Sequence, residues 1–128
     1  MSGRLLLDTH ALIWALSSPR RLPARVSSSI RDPDNDVYVS AVSTWEIAIK
    51  VMLRKVHADV AAVVRALRDA GFEELPITIA HTVRVHTLPL HHRDPFDRLL
   101  VAQAMEERLT IVTHDPLLRA YDAASVWH

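Results

Sequence analysis

Short apolar runs separated by helix-forming segments are the feature that most restricts how this chain can fold. The runs "LLL" at 5–7, "VYV" at 37–39 and "TIV" at 110–112 are too short for helices and consist mostly of leucine and β-branched residues. Longer stretches with helical spacing of apolar residues lie between them. This alternation favours a mostly parallel sheet with helices on both faces. We therefore predict an α/β fold with four to five strands.

The boundaries of the elements follow from capping and turn residues. We predict strands at "LLLD", "VYVS", "FEELPI", "TIVTHD" and "SVW", of which the third is an outer strand and the last a weak one. Helices are predicted at "THALIWALSS", "LPARVSSSIRD", "AVSTWEIAIKVMLRK", "DVAAVVRALRDAG", Thr78 to about Thr87, "DPFDRLLVAQAMEER" and "PLLRAY". Thr9 is expected to cap the first helix, Ser40 to start the third, and Gly71 to end the fourth. No repeat or linker is visible, so residues 1–128 are expected to form one domain.

Composition excludes several classes of protein. The absence of cysteine rules out disulfides and thiolate metal sites, and the presence of only two glycines rules out glycine-rich phosphate loops. No apolar stretch reaches the roughly 18 residues of a membrane span, so we expect a cytoplasmic protein without membrane association. The net charge of zero implies no overall attraction to nucleic acid. Arginine supplies thirteen of the fifteen basic residues, which suits phosphate binding and is explained equally well by codon bias and surface ion pairs.

Four carboxylates are the candidates for chemistry. Asp8 and Asp115 end apolar strands, and the carboxyl ends of parallel strands border the functional crevice of such sheets. Glu46 and Asp97 share helix faces with apolar residues. Each acid also has an ordinary structural explanation, because the three aspartates can support helix N-termini and Glu46 can pair with Lys50. Periodicity argues against that pair, since it places Glu46 on the apolar face.

Convergence of the four acids is the simplest single explanation. Two carboxylates about 4 Å apart repel by about 4 kcal/mol at an effective dielectric constant of about 20, so a cluster of four requires protons or a bridging cation. Oxygen ligands without sulfur select hard divalent ions, Mg²⁺ or Mn²⁺. Such an ion polarises a phosphate and lowers the pKa of a water molecule, which suits phosphodiester hydrolysis. Thr9 and Thr113, close to two of the acids, are predicted to orient water or substrate.

Four segments in a fixed order resemble a known family. "LLLDTHALIW", "SAVSTWEIAIK", "HHRDPFDRLLVAQA" and "TIVTHD" look like a PIN domain and, within that superfamily, like the VapC-like toxins of type II toxin–antitoxin modules. The resemblance spans nearly the whole chain and points to the same four acids. It also selects Asp97 over Asp94 as the third acid, which leaves Asp94 as a helix cap and an outer partner of the site.

The resemblance implies a Mg²⁺- or Mn²⁺-dependent endoribonuclease that cuts tRNA, rRNA or mRNA and inhibits translation. It further implies a homodimer and a cognate antitoxin, whose C-terminal segment lies along an apolar groove near the acids. Trp14 and Trp45 are candidates for that groove, with burial in the core as the alternative. The candidates for RNA contact, with solvated surface as the alternative, are Arg98, Arg93, Arg20 and Arg21. Arg98 is favoured because it follows Asp97 directly.

Histidines beside the acids need a separate prediction. His10 and His114 could bind a softer ion such as Zn²⁺. Sequence neighbours on a strand point to opposite faces, so we expect each to face away from its acid. His91 and His92 lie in a loop before Asp94, where RNA contact and plain exposure fit equally well.

Other functions are weighed against this one. A phosphatase resembling the haloacid dehalogenases needs a second acid two places after Asp8, where His10 stands, and a receiver domain needs a lysine near a later strand. A catalytically silent PIN-like module that binds RNA or protein would be expected to lack one of the four acids, and none is missing. A DNA-directed nuclease of the superfamily commonly carries extra segments, for which we expect no room in this chain.

Overall fold

The computed structural model describes residues 3–121 and 125–126, with only the backbone for Arg119 and the last two. Within these residues, five strands form one parallel sheet in the order β3-β2-β1-β4-β5. The strands are β1 (Arg4–Leu7), β2 (Asp36–Ser40), β3 (Glu73–Leu75), β4 (Thr110–Val112) and β5 (Ser125–Val126). The predicted α/β fold and the outer position of the "FEELPI" strand are confirmed. Trp127, predicted to end the last strand, lies outside the described residues.

Seven α-helices and one 3₁₀ turn connect the strands of the described chain. They are α1 (Thr9–Ser17), the turn at Pro19–Arg21, α2 (Ala24–Arg31), α3 (Ala41–Met52), α4 (Val60–Asp69), α5 (Ile79–Thr87), α6 (Pro95–Glu107) and α7 (Pro116–Arg119). Each predicted helix is present, and the 3₁₀ turn is an addition. No helix among the described residues combines the length and the apolar character that crossing a membrane requires.

The central strand β1 shows why helices cover both faces of the sheet. Leu5 and Leu7 pack into one core cluster with side chains of α1, α2 and α4. Leu6, which points to the other face, packs with α6 and with the first turn of α3. Because all three leucines are buried, neither face of β1 can be left to water. The prediction of helices on both faces is confirmed.

Helix ends follow the sequence with one exception. The Ser40 hydroxyl caps α3, and Gly71 adopts a φ of 78° just after α4, as the capping pattern predicts. The prediction that Thr9 caps α1 is wrong. Asp8 caps it, since its Oδ1 accepts a hydrogen bond from the backbone N–H of Ala11 at 2.7 Å. Thr9 is therefore the first helical residue, and its hydroxyl turns towards α3.

The strand order places a crevice at one end of the sheet. From β1 the chain adds β2 and β3 on one side and β4 and β5 on the other, so the order reverses between β1 and β4. In open parallel sheets, ligands bind outside the carboxyl ends of the strands at such a point. Asp8 follows β1 there, and its backbone N–H donates to the carbonyl of Val112, the last residue of β4, at 3.1 Å.

The C-terminus of α6 allows a test of local backbone strain. Arg108, exposed and at the C-cap, has φ 55° and ψ 50°, a left-handed conformation that disfavours a residue with a Cβ. We expect Arg108→Gly to raise the free energy of unfolding by about 0.5–1 kcal/mol, measured by urea denaturation. The control is Arg65→Gly in the exposed middle of α4, which should lower it by about 1 kcal/mol. Equal losses in both variants would show that Arg108 is not strained.

Candidate metal centre

A cleft of about 460 Å³ lies at the carboxyl ends of β1 and β4, and all four predicted acids line it. The acids are Asp8, Glu46, Asp97 and Asp115, joined by Thr9, Lys50 and Asp94. A larger cleft of about 630 Å³ is lined by Asp36 and Val37 at the opposite end of β2, and none of the four acids reaches it. The strand reversal and the acids thus coincide in the smaller cleft, which is the candidate site.

Asp8 is the most deeply placed of these carboxylates, with 5% of its surface exposed. The Thr113 hydroxyl donates a hydrogen bond to it and accepts one from the backbone N–H of Asp115. Burial raises the pKa of Asp8, and the hydrogen bonds from Thr113 and from the backbone of Ala11 only partly oppose that rise. An anion destabilised by burial gains strongly from a nearby cation, so Asp8 has the character of a metal ligand.

Glu46 is buried and receives two side-chain donors. The Thr9 hydroxyl donates to its Oε1 at 2.7 Å and lies 3.0 Å from the Ser43 hydroxyl, which links α1 to α3. Lys50 Nζ lies 2.6 Å from Oε2, and this contact raises the pKa of the lysine. The sequence argument against a Glu46–Lys50 pair is therefore wrong. The flexible lysine reaches back from a partly exposed position while the carboxylate stays on the buried face.

Asp97 and Asp115 meet at the ring of His92. Nε2 of His92 lies 3.0 Å from Oδ2 of Asp97 and 3.1 Å from Oδ2 of Asp115. The ligand-type atoms of these three residues all lie within 4.8 Å of one another, close enough for one metal ion. Sequence analysis left His92 between RNA contact and plain exposure, and no periodic signal in its loop could have placed it inside the cleft.

Asp97 is the acid whose ionisation is most strongly affected. Burial and the negative charge of Asp94 raise its pKa to about 7, although His92 opposes the shift. Asp94 caps α6 as predicted, since its Oδ1 accepts from the backbone N–H groups of Phe96 and Asp97 at 2.8 and 3.2 Å. A carboxylate destabilised by its neighbours favours a bound divalent cation, and oxygen donors of this kind suit Mg²⁺ or Mn²⁺.

The two flanking histidines also line the cleft. The expectation that His10 and His114 face away from their acids is wrong, because both lie outside the strands. His10 is in the first turn of α1, and His114 is in the turn after β4, so strand alternation does not apply to them. Trp14 lines the cleft as well, and the Arg21 guanidinium lies 4.7 Å from its ring centroid.

Arg98, the arginine favoured for RNA contact, is turned towards its own chain. One guanidinium nitrogen donates to the Tyr121 hydroxyl at 3.0 Å and to the carbonyls of Pro89 and His92 at 3.0 and 3.4 Å. The other donates to the carbonyls of Val85 and Leu88 at 3.2 and 3.3 Å. The side chain thus holds the loop that carries His92, and an RNA contact by Arg98 stays a prediction. Arg93 and Arg20 are exposed, as is Arg21.

The exposed surface of α3 lies beside the cleft. Trp45 is 52% exposed and packs edge-on against Phe96 at a centroid distance of 4.9 Å. Met52 and Leu53 at the end of the helix are 72% and 53% exposed. The apolar stripe predicted on this helix is therefore buried at Val42 and Glu46 and exposed at its C-terminal end.

Comparison with known proteins gives consistent matches. The family model described as "PIN domain" matches residues 5–124. Ribonuclease VapC22 of Mycobacterium tuberculosis is 28% identical over 120 residues, which cover 91% of each chain. A crystal structure of VapBC2 from Rickettsia felis, bound to a promoter DNA fragment, superposes with a TM-score of 0.73 at 14% identity, covering 96% of this chain and 97% of that one. VapBC-5 from Mycobacterium tuberculosis gives 0.57 at 25% identity, covering 97% and 93%.

The raised pKa of Asp97 predicts how stability changes with pH. Between about pH 4 and pH 7 the native protein keeps the Asp97 proton while the unfolded chain releases it, so rising pH favours unfolding through this group. Asp97→Asn removes the effect. The gain in unfolding free energy of this variant over wild type should therefore grow across that range, as measured by urea denaturation in EDTA.

The control for this experiment is Asp69→Asn, an exposed aspartate at the end of α4. Its difference from wild type should stay constant with pH. A constant difference for Asp97→Asn as well would contradict the raised pKa.

The contacts of Arg98 predict a structural rather than a surface role. Arg98→Lys should lower the free energy of unfolding by about 1–3 kcal/mol, because an ammonium group cannot reach all five oxygens. Arg93→Lys, at an exposed position in the same loop, should change it by less than about 0.5 kcal/mol. Urea denaturation measures both. Unchanged stability of Arg98→Lys together with weakened RNA binding would favour the RNA contact instead.

Proposed function

The chain belongs to the PIN-domain family, and from this membership we propose that it is a metal-dependent endoribonuclease that acts as the toxin of a type II toxin–antitoxin system. The observation that carries the proposal is the meeting of four carboxylates in one cleft at the strand reversal. Two of them, Asp8 and Glu46, are buried, which is costly for anions without a cation. Similarity to Ribonuclease VapC22 along nearly the whole chain supports RNA as the substrate.

The four acids, Asp8, Glu46, Asp97 and Asp115, are proposed to hold one or two Mg²⁺ or Mn²⁺ ions. An ion bound there would polarise a phosphodiester and neutralise the charge that develops on it. The protein's own donors fix the acids, since Thr9 orients Glu46, Thr113 orients Asp8, and Asp94 holds the first turn of α6 beneath Asp97. Hydrolysis adds water to phosphorus in line with the departing 3′ oxygen and leaves 5′-phosphate and 3′-hydroxyl ends.

Arginines near the cleft are proposed to bind the RNA backbone. Arg21 is the best placed, because its guanidinium lies over Trp14 and that ring lines the cleft. Arg20 and Arg93 are exposed on neighbouring segments. The planar guanidinium matches phosphate oxygens, and Trp14 with the arginine beside it offers a stacking surface for a base. The RNA cut is proposed to be tRNA, rRNA or mRNA, with loss of translation as the result.

A cognate antitoxin and a second copy of the chain are the proposed partners. The solved assemblies that resemble this chain include VapBC complexes, described as toxin–antitoxin systems for VapBC-5. The exposed apolar side chains Trp45, Met52 and Leu53 on α3 support a protein partner near the cleft. A toxin and antitoxin of this kind would act in the cytoplasm.

Cleavage of total RNA tests the proposed activity. Purified protein should give discrete fragments with Mg²⁺ or Mn²⁺ and none with EDTA. Asp8→Asn should reduce the cleavage rate by more than about 100-fold, because a neutral amide is a poor ligand for a hard cation. The same variant should unfold no more easily than wild type, since it removes a buried charge. Asp69→Asn, remote on α4, is the matched control and should cleave normally.

Three results would contradict the proposal. Cleavage in EDTA, or full activity of Asp8→Asn, would place the chemistry elsewhere. Cleavage of DNA but not RNA would identify a DNA-directed nuclease. Inactivity after denaturing purification and refolding, which removes any retained antitoxin, would favour a binding module without catalysis.

A further inference from the structure

We propose that the imidazole of His92 and the divalent cation compete for the same pair of carboxylates, so that His92 must swing out of the cleft when the ion binds. The proposal rests on the proposed function in one respect, because it requires a divalent cation at the four acids. It concerns a residue outside the acidic set and gives that residue the role of an internal competitor rather than a ligand.

The first observation is that the ring and a bridging cation would use the same atoms. Nε2 of His92 lies 3.0 Å from Oδ2 of Asp97 and 3.1 Å from Oδ2 of Asp115. All three atoms fit within the space that a single metal site requires. The histidine ring is 14% exposed, so it fills part of the cleft rather than lying across its opening. A cation shared by the two carboxylates therefore has to displace it.

The second observation decides between competitor and ligand. The backbone N–H of Asp94 donates a hydrogen bond to Nδ1 of His92 at 3.0 Å. Nδ1 must offer a lone pair to accept this bond, so the proton of the neutral ring is on Nε2 and points at the two carboxylates. A metal ligand needs its lone pair on the coordinating nitrogen. The ring is thus set up to donate to Asp97 and Asp115, not to coordinate an ion beside them.

The third observation is that the backbone of His92 is fixed independently of its ring. Its N–H donates to the Tyr121 hydroxyl at 2.9 Å, and the same hydroxyl accepts from Arg98 at 3.0 Å. The His92 carbonyl accepts from Arg98 as well. The ring can therefore leave by rotation about its side-chain bonds, which breaks its contacts with the acids and with Asp94 while the loop stays in place.

Electrostatics gives the competition its direction. A neutral N–H offers two carboxylates only a partial positive charge, whereas a divalent ion offers two full charges at shorter range. The ion therefore wins at sufficient concentration, and the histidine keeps Asp97 and Asp115 together until it does. The cost of displacing the ring lowers the apparent affinity for the ion.

Metal affinity of a His92→Ala variant tests the proposal. The dissociation constant for Mn²⁺ is measured by isothermal titration calorimetry at about pH 8, where Asp97 is mostly ionised. We expect His92→Ala to bind Mn²⁺ about 3- to 10-fold more tightly than wild type, the range that corresponds to the hydrogen bonds it no longer has to lose. His86→Ala, at an exposed position of α5, is the control and should bind like wild type.

The outcomes separate the two proposals. Equal or weaker Mn²⁺ binding by His92→Ala would overturn the competition while leaving the metal site intact. Failure of wild type and both variants to bind Mn²⁺ would overturn the metal-dependent function and the competition with it.

A measurement on the wild-type protein covers the case in which His92→Ala does not fold. Long-range ¹H–¹⁵N spectra of the histidine rings report which nitrogen carries the proton. On addition of Mg²⁺ we expect the His92 signals to shift, with the proton remaining on Nε2 and exchanging faster with solvent. Transfer of the proton to Nδ1 would identify a ligand, and unchanged signals during Mg²⁺ binding would show that the ring does not move. Either result would overturn the proposal.

Discussion

Repulsion among carboxylates gathered at one end of a small parallel sheet governs the arrangement of the polar side chains around them. Each of the four acids receives a hydrogen bond from at least one side chain. Thr113 donates to Asp8, Thr9 and Lys50 to Glu46, and His92 serves both Asp97 and Asp115. These donors come from five different segments of chain. The acids are thereby held near one another at a separation that favours a divalent cation.

Capping and metal binding are alternatives in the sequence but not in the structure. Asp8 and Asp115 each use Oδ1 to accept a backbone N–H at the start of a helix. A carboxylate has a second oxygen, and in Asp115 that atom faces His92 inside the cleft. The positive ends of α1 and α7 also favour negative charge at these two positions. A strand-end aspartate can therefore begin a helix and serve a site at the same time, so evidence for a cap is not evidence against a ligand.

The sequence predicts the parts of this protein that depend on periodicity and capping. The strand–helix alternation, the Asp94–Pro95 start of α6 and the burial of Glu46 all follow from local pattern. Contacts made by long side chains or by aperiodic loops do not. Lys50 reaches Glu46 against the apolar pattern, Arg98 turns inward although its position suggests surface, and His92 enters the cleft from a loop without any regular spacing. Each depends on how far a side chain reaches in three dimensions, which spacing along the chain does not record.

The register between the two central strands has a consequence for when the protein can act. Pairing joins Leu5 to Thr110, so about 100 residues must be synthesised before β1 meets β4. Asp115 follows that pairing, and the cleft has no complete set of acids until nearly the whole chain has left the ribosome. A nascent chain is therefore inert towards the RNA around it throughout almost all of its own translation.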